Sequence, residues 1–164
     1  MKLFIEFTRP GGLALLSWLI RAIQKVPYSH TRLRWVNSQG VNIIYEASGA
    51  TVKFVGPIAQ KESNSIVIEA ITIELDQEQK KKLIRLCVEY AGVKYGVAQL
   101  IGIGIARMFR MKRNPLSKGS KEQVCSELVG RIMVEVCGLE KPGDWDLAGP
   151  KEINKWLMSH LRLK

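Results

Sequence analysis

Ser29-His30-Thr31-Arg32-Leu33-Arg34-Trp35, read together with Ile43-Ile44-Tyr45-Glu46-Ala47, is the stretch that decides the fold. Polar and apolar residues alternate through both segments, the period of a β-strand. Asn37-Ser38-Gln39-Gly40 between them has the composition of a turn, so the pair predicts a hairpin with strands over 29–36 and 41–47. The first strand carries a His and the second a Glu. Far downstream, Gln123-Val124-Cys125-Ser126-Glu127-Leu128-Val129 puts a Cys at the expected start of a helix. A thiol, an imidazole and a carboxylate are the parts of a cysteine nucleophile system. Here the imidazole comes first in the chain and the thiol last.

Outward from the hairpin, residues 2–7 read as a short strand broken by Pro10-Gly11-Gly12, and residues 13–26 as a mostly apolar helix ended by Pro27. A third short strand is expected at 51–55, punctuated by Gly56-Pro57, and an Ile-rich strand at 66–75. Asp76 is a natural N-cap for a helix over 77–91, with Gly92 as its C-terminal cap. Further helices are expected at 96–108, 121–137 (stopped by Gly138) and 151–161. A basic loop or lid covers 112–120, and another loop 141–150. Strands cluster early and helices follow, which predicts an α+β fold. No repeat or linker interrupts residues 1–164, so a single domain is expected.

The chain has 164 residues, 46% hydrophobic and 24% charged, as in an ordinary globular protein. Three cysteines without regular spacing give neither a disulfide framework nor a metal pattern. Cys87 and Cys137 lie in apolar helical patterns and read as small buried hydrophobes. The net charge of +10 predicts attraction to polyanions: an anionic polymer, a membrane surface or nucleic acid. Lys80-Lys81-Lys82 reads as a solvated helix face. The run of Arg107, Arg110, Lys112 and Arg113, continuing to Lys118 and Lys121, reads as an anion-binding loop. No nucleic-acid motif accompanies either run, which argues against nucleic acid as the partner.

Near the N-terminus, Lys2 is followed at once by Glu6 and Arg9, and no small-residue cleavage site follows the apolar run 13–20. Neither that run nor the one over 97–108 reaches the ~20 residues of a spanning helix. The expectation is cytoplasmic synthesis without a signal peptide, the protein reaching other sites by other means, such as within a phage particle.

Cys125 is the sharpest candidate nucleophile. A helix N-terminus favours the thiolate and offers unpaired N–H groups to an oxyanion. His30 has the residue type of a general base. The other histidine, His160, reads as a solvated helix-end residue. Glu46 would orient His30 if the hairpin brings it to the same sheet face. Ser126 and Glu127 are expected to serve the helix start, and Tyr28 offers a hydroxyl of undetermined direction.

Around these positions the chain resembles the circularly permuted NlpC-like cysteine peptidases and amidases of the papain-like superfamily, including the YiiX-like group. Papain-like enzymes ordinarily present Cys before His, and the reversed order here matches the permuted members. The resemblance spans about residues 2–157. It is carried by Ser29-His30, by Tyr45-Glu46-Ala47 with Gly49 and Val52, by Tyr95-Gly96, by Cys125-Ser126-Glu127-Leu128-Val129, and by Asp146-Leu147-Ala148-Gly149-Pro150. It implies a permuted papain-like fold with an antiparallel sheet packed against helices. Cys125 becomes the nucleophile, His30 the base and Glu46 the orienter of a triad, with no metal and no cofactor. The implied activity is a thiol hydrolase cutting an amide bond in a peptide or cell-wall peptide through a thioester.

The chain departs from that pattern in three ways. No export signal is expected from its opening residues. Arg32 and Arg34 make the strand after His30 unusually polar, which leaves room for an anionic substrate. The opening Phe4-Ile5-Glu6-Phe7-Thr8-Arg9-Pro10 replaces a Gly-Asp turn and is similar to phage-encoded members. Two other readings share the residues. In one, a lipid-directed acyltransferase resembling lecithin:retinol acyltransferase lays residues 97–109 on an anionic membrane. In the other, a structural or adaptor protein, for instance of a phage particle, keeps the fold without catalysis.

Overall fold

The computed structural model describes residues 1–12, 14–62, 64–117, 122–141, 143 and 147–161. Leu3, Ile5 and Phe7 alternate with Lys2, Phe4 and Glu6 in the first strand, β1 (Lys2–Pro10). That alternation buries one face completely and lets β1 sit inside the sheet. The helix α1 (Leu15–Gln24) follows, ending where Lys25 adopts a left-handed conformation at φ 53°. The expected hairpin forms as β2 (His30–Val36) and β3 (Asn42–Ser48), with Leu33 opposite Tyr45. Gly40 takes φ +76° in its turn, a backbone region that favours glycine. Next come β4 (Thr51–Val55), α2 (Pro57–Glu62), β5 (Ser65–Glu74), α3 (Gln77–Tyr90), β6 (Lys94–Tyr95), α4 (Val97–Met108), β7 (Glu122–Gln123), α5 (Cys125–Cys137) and α6 (Pro150–Leu161).

The seven strands form one sheet in the order β5-β1-β2-β3-β4-β6-β7. All pairings are antiparallel except that of β7, which runs parallel to β6. The architecture is α+β, as the sequence predicts. On one face, Leu3, Ile5, Phe7, Leu33, Trp35 and Tyr45 meet the apolar stripes of α3, α5 and α6 in a single core. The helix α5 is its centre: nine of its 13 residues are buried, and it packs on β2 and β3 between α3 and α6. Truncating one of its large side chains, such as Ile132, would remove about 2–5 kcal/mol. At one end of the molecule α1 packs on α4, where Ile20, Leu100, Ile103 and Val124 form a second, smaller cluster.

Several expectations are corrected here. The short elements α2, β6 and β7 were not legible, because two-residue strands carry no periodicity and exist only through pairing. The helix predicted from residue 121 begins at Cys125, and Glu122–Gln123 pair with Lys94–Tyr95 as a strand instead. Lys121 itself, like Lys118 and Asp146, lies outside the described residues. The α3 cap is Asp76, in a reciprocal capping box with Gln79. Gly92 sits just beyond the helix end at φ +83°, where its N–H donates to the Val52 carbonyl. Cys87 is buried, whereas Cys137 is only half-buried; no disulfide joins the three cysteines. The helix α4 divides its surface, burying Leu100, Ile103 and Ala106 while exposing Val97, Ile101 and Met108. Among the described residues no helix is long and apolar enough to cross a membrane.

Candidate active site

Alternation along β2 sends Leu33 and Trp35 into the core and leaves His30, Arg32 and Arg34 on the opposite face. Glu46 faces the same way from β3. The His30 Nε2 and Glu46 Oε2 atoms are 3.0 Å apart, and the Ser48 hydroxyl donates to the other carboxylate oxygen at 2.6 Å. Both side chains are mostly enclosed, at 19% and 14% exposure. Burial alone would push the Glu46 carboxyl up. The hydrogen bond and charge of His30, the Ser48 hydroxyl and the nearby Arg32 overcome it and hold Glu46 at about 2.

The third residue arrives from the far end of the chain. Cys125 is the first residue of α5, after Val124 in extended conformation, and its side chain is hydrogen-bonded to His30. With Nε2 committed to Glu46, Nδ1 is the ring nitrogen left for the sulfur. Burial pushes the thiol up, but the charge and hydrogen bond of His30 pull it down. The backbone N–H groups of Thr31 and Ser126 pull in the same direction, and the net result lies below an ordinary thiol. For His30, burial favours the neutral ring. The Cys125 thiolate and the Glu46 carboxylate outweigh it, so the imidazolium persists to about 10. The arrangement favours a thiolate–imidazolium pair, with a carboxylate behind the ring.

Two flanking residues fix the start of α5. The Ser126 hydroxyl donates to the Ala148 carbonyl at 2.6 Å, tying α5 to the segment before α6. The buried Glu127 accepts from Gln99 Nε2 of α4 at 3.0 Å and from Arg131 Nη2 at 2.7 Å. Both residues therefore do more than serve the helix dipole: they lock the sulfur's position against two neighbouring elements. Tyr28 is turned away, buried in the core with its ring 5.0 Å from that of Phe7. The hydroxyl that reaches the site belongs to Tyr95, which is hydrogen-bonded to Cys125. Burial and the negative sulfur raise its pKa well above the ordinary phenol value, so it stays a donor. Sequence reading missed this role, although Tyr95-Gly96 stood out as part of the pattern. His160 is half-buried rather than solvated: its Nδ1 lies 2.9 Å from the Trp156 carbonyl and its ring 5.6 Å from that of Trp156, near the end of α6.

A cleft of ≈ 370 Å³ opens in front of the site, lined by His30, Glu46 and Tyr95 together with residues of β1 and α1. Cys125 itself has no exposed surface; it lies behind His30 and Tyr95. Among the described residues no group of three or more His, Cys, Asp or Glu side chains is placed to hold a metal ion.

The α+β fold of this chain is one that solved structures share. One of them is the crystal structure of the metalloprotein yiiX from Escherichia coli O157:H7. It matches 96% of this chain and 79% of its own, with a TM-score of 0.56 and 21% sequence identity. The likeness is one of fold. No protein-family model matches the sequence, and no curated protein does.

Proposed function

We propose that this chain is a thiol-dependent hydrolase on a circularly permuted papain-like fold, and that it cleaves an amide bond in a peptide or cell-wall peptide. The observation that carries this reading is the single hydrogen-bonded line from Glu46 through His30 to a buried sulfur whose thiolate is favoured. In the first step the Cys125 Sγ attacks the carbonyl carbon. The C–N bond then breaks as the imidazolium gives its proton to the leaving amine, leaving a thioester. In the second step His30 takes a proton from water, the resulting hydroxide attacks the thioester, and the acid product leaves as the thiolate re-forms. Glu46 holds the ring and stabilises its charge throughout. The Tyr95 hydroxyl and the first-turn N–H groups of α5 are the donors nearest to the developing oxyanion.

The yiiX structure is described as that of a metalloprotein. The donor set here does not fit an ion, because the imidazole, carboxylate and thiol are spent on one another. No step is routed through a metal.

The test is the pH dependence of Cys125 alkylation by iodoacetamide, read by peptide mass spectrometry in the parent and in His30→Ala. Cys87, whose thiol burial pushes up to about 12, is the internal control. Rapid reaction of Cys125 below pH 7 that is lost in the variant supports the reading. Reaction no faster than an ordinary thiol, in both proteins, overturns it.

A further inference from the structure

Two arginines line the cleft beside His30, and among the described residues neither has a carboxylate to itself. Arg32 is buried, with its Nε donating to Glu6 Oε2 at 2.8 Å. The other oxygen of the same carboxylate is taken by Arg34, so two guanidinium groups share one negative charge. Arg9, at the end of β1, forms no ion pair among the described residues, and its Nε is buried without an acceptor. A buried N–H with no partner is costly unless a ligand oxygen completes it. The carboxylate in the cleft, Glu46, is already bound by His30. Arg34 contributes nothing directly: its guanidinium stacks over the Phe4 ring at 4.0 Å and reaches Asn42, away from the cleft.

We propose that Arg9 and Arg32 form an anion subsite, and that the substrate is an acidic peptide whose carboxylate docks there one to two residues from the scissile amide. This rests on the thiol-hydrolase reading and names the substrate class for it. The spacing follows from the strand: Arg32 is two residues beyond His30 on the same face, roughly 7 Å away. The planar fork of a guanidinium matches a carboxylate in bidentate fashion. The cleft, at ≈ 370 Å³, is of a size that holds a few peptide residues.

The experiment compares two small alkylating agents of nearly equal size, anionic iodoacetate and neutral iodoacetamide. An ordinary thiolate reacts faster with the neutral one. The ratio of iodoacetate to iodoacetamide rates at Cys125 is measured in the parent and in Arg9→Gln, Arg9→Lys and Arg32→Gln, with Cys137 as reference. The attraction due to His30 is common to all four proteins. The expected result is a ratio in favour of iodoacetate in the parent, falling roughly tenfold in each Gln variant and kept by Arg9→Lys. A second arm measures protection against iodoacetamide by N-acetylglutamate and by glycerol phosphate; protection by the former at lower concentration is expected.

Fast alkylation by both agents, with the same ratio in parent and Gln variants, would overturn the subsite while leaving the hydrolase reading intact. Better protection by glycerol phosphate would overturn the carboxylate assignment in favour of a phosphate-bearing ligand. Slow alkylation by both agents in the parent would remove the hydrolase reading, and the subsite with it.

Discussion

Glu6→Gln removes the one carboxylate that two arginines share beneath the cleft. Glu6 is only 3% exposed and Arg32 only 4%, so water at the cleft wall replaces little of the lost charge at Arg32. Arg34, at 22% side-chain exposure, can turn to solvent; Arg32 cannot. Leaving a buried guanidinium without its counter-charge costs about 3–5 kcal/mol. For a chain of 164 residues, with an unfolding entropy near 2.1 cal/mol/K per residue, that corresponds to a Tm lowered by about 9–15 °C. Differential scanning calorimetry and urea titration would both read it. The neutral amide keeps the shape of the side chain, so a lost cavity contact does not confuse the outcome. A loss below about 1 kcal/mol would show that solvent reaches Arg32 in the folded protein. The argument for an incompletely neutralised cation at the cleft wall would then fail.

Glu46→Gln is expected to narrow the pH window of the reactive ion pair. His30 stands at about 10 instead of 6.5, so the imidazolium is lost only as pH rises through about 10; the thiolate, favoured over an ordinary thiol, is lost as pH falls. Without the carboxylate the upper edge moves down and the lower edge up, and Cys125 alkylation at pH 6 slows by roughly tenfold. A profile superimposable on the parent's would remove Glu46 from the site. The raised value of His30 also contributes stability that is fully present below pH 6.5 and fades through about 10, so thermal melts should show a decline on that alkaline side, absent in His30→Ala. Tyr95→Phe deletes a donor to the sulfur while keeping the ring, and should raise the apparent pKa of the thiol; an unchanged alkylation midpoint would exclude the contact. Gly102→Ala would drive a methyl into Asn114 Oδ1, which accepts from the Leu116 N–H, while Asn114 Nδ2 donates to the Gln99 carbonyl. About 1–3 kcal/mol should be lost, with faster tryptic cleavage at Arg110 and Arg113.

The hairpin was legible because its signals are local: alternation in β2 and β3, turn residues between them, and a two-residue period that fixes which face each side chain takes. Whether Glu46 lies beside His30 depended on the hairpin register, which the pairing of Leu33 with Tyr45 decides. Asp76 was legible for a similar reason, since capping chemistry is written in adjacent residues. What escaped was everything decided by distant partners. Nothing near Glu122–Gln123 announces a strand; β7 exists because Lys94–Tyr95 lie alongside. Tyr28 and Tyr95 look alike in sequence, and only the packing of Phe7 against one and Cys125 against the other separates them. Arg34 looked like the natural companion of Arg32, yet Phe4 and Asn42 draw it away, and Arg9 enters the cleft from another strand.

The helix that carries the sulfur is also deeply enclosed in the core, nine of its 13 residues being buried, and under the proposed function this would tie the onset of activity to folding. The imidazole and carboxylate leave the ribosome on an early hairpin, long before the thiol is made. They have no nucleophile to activate until α5 is inserted between α3, α6 and the sheet. A growing or incompletely folded chain would therefore carry an ordinary cysteine rather than an activated one. Under the proposed function, closing the core and arming the thiol would be the same event.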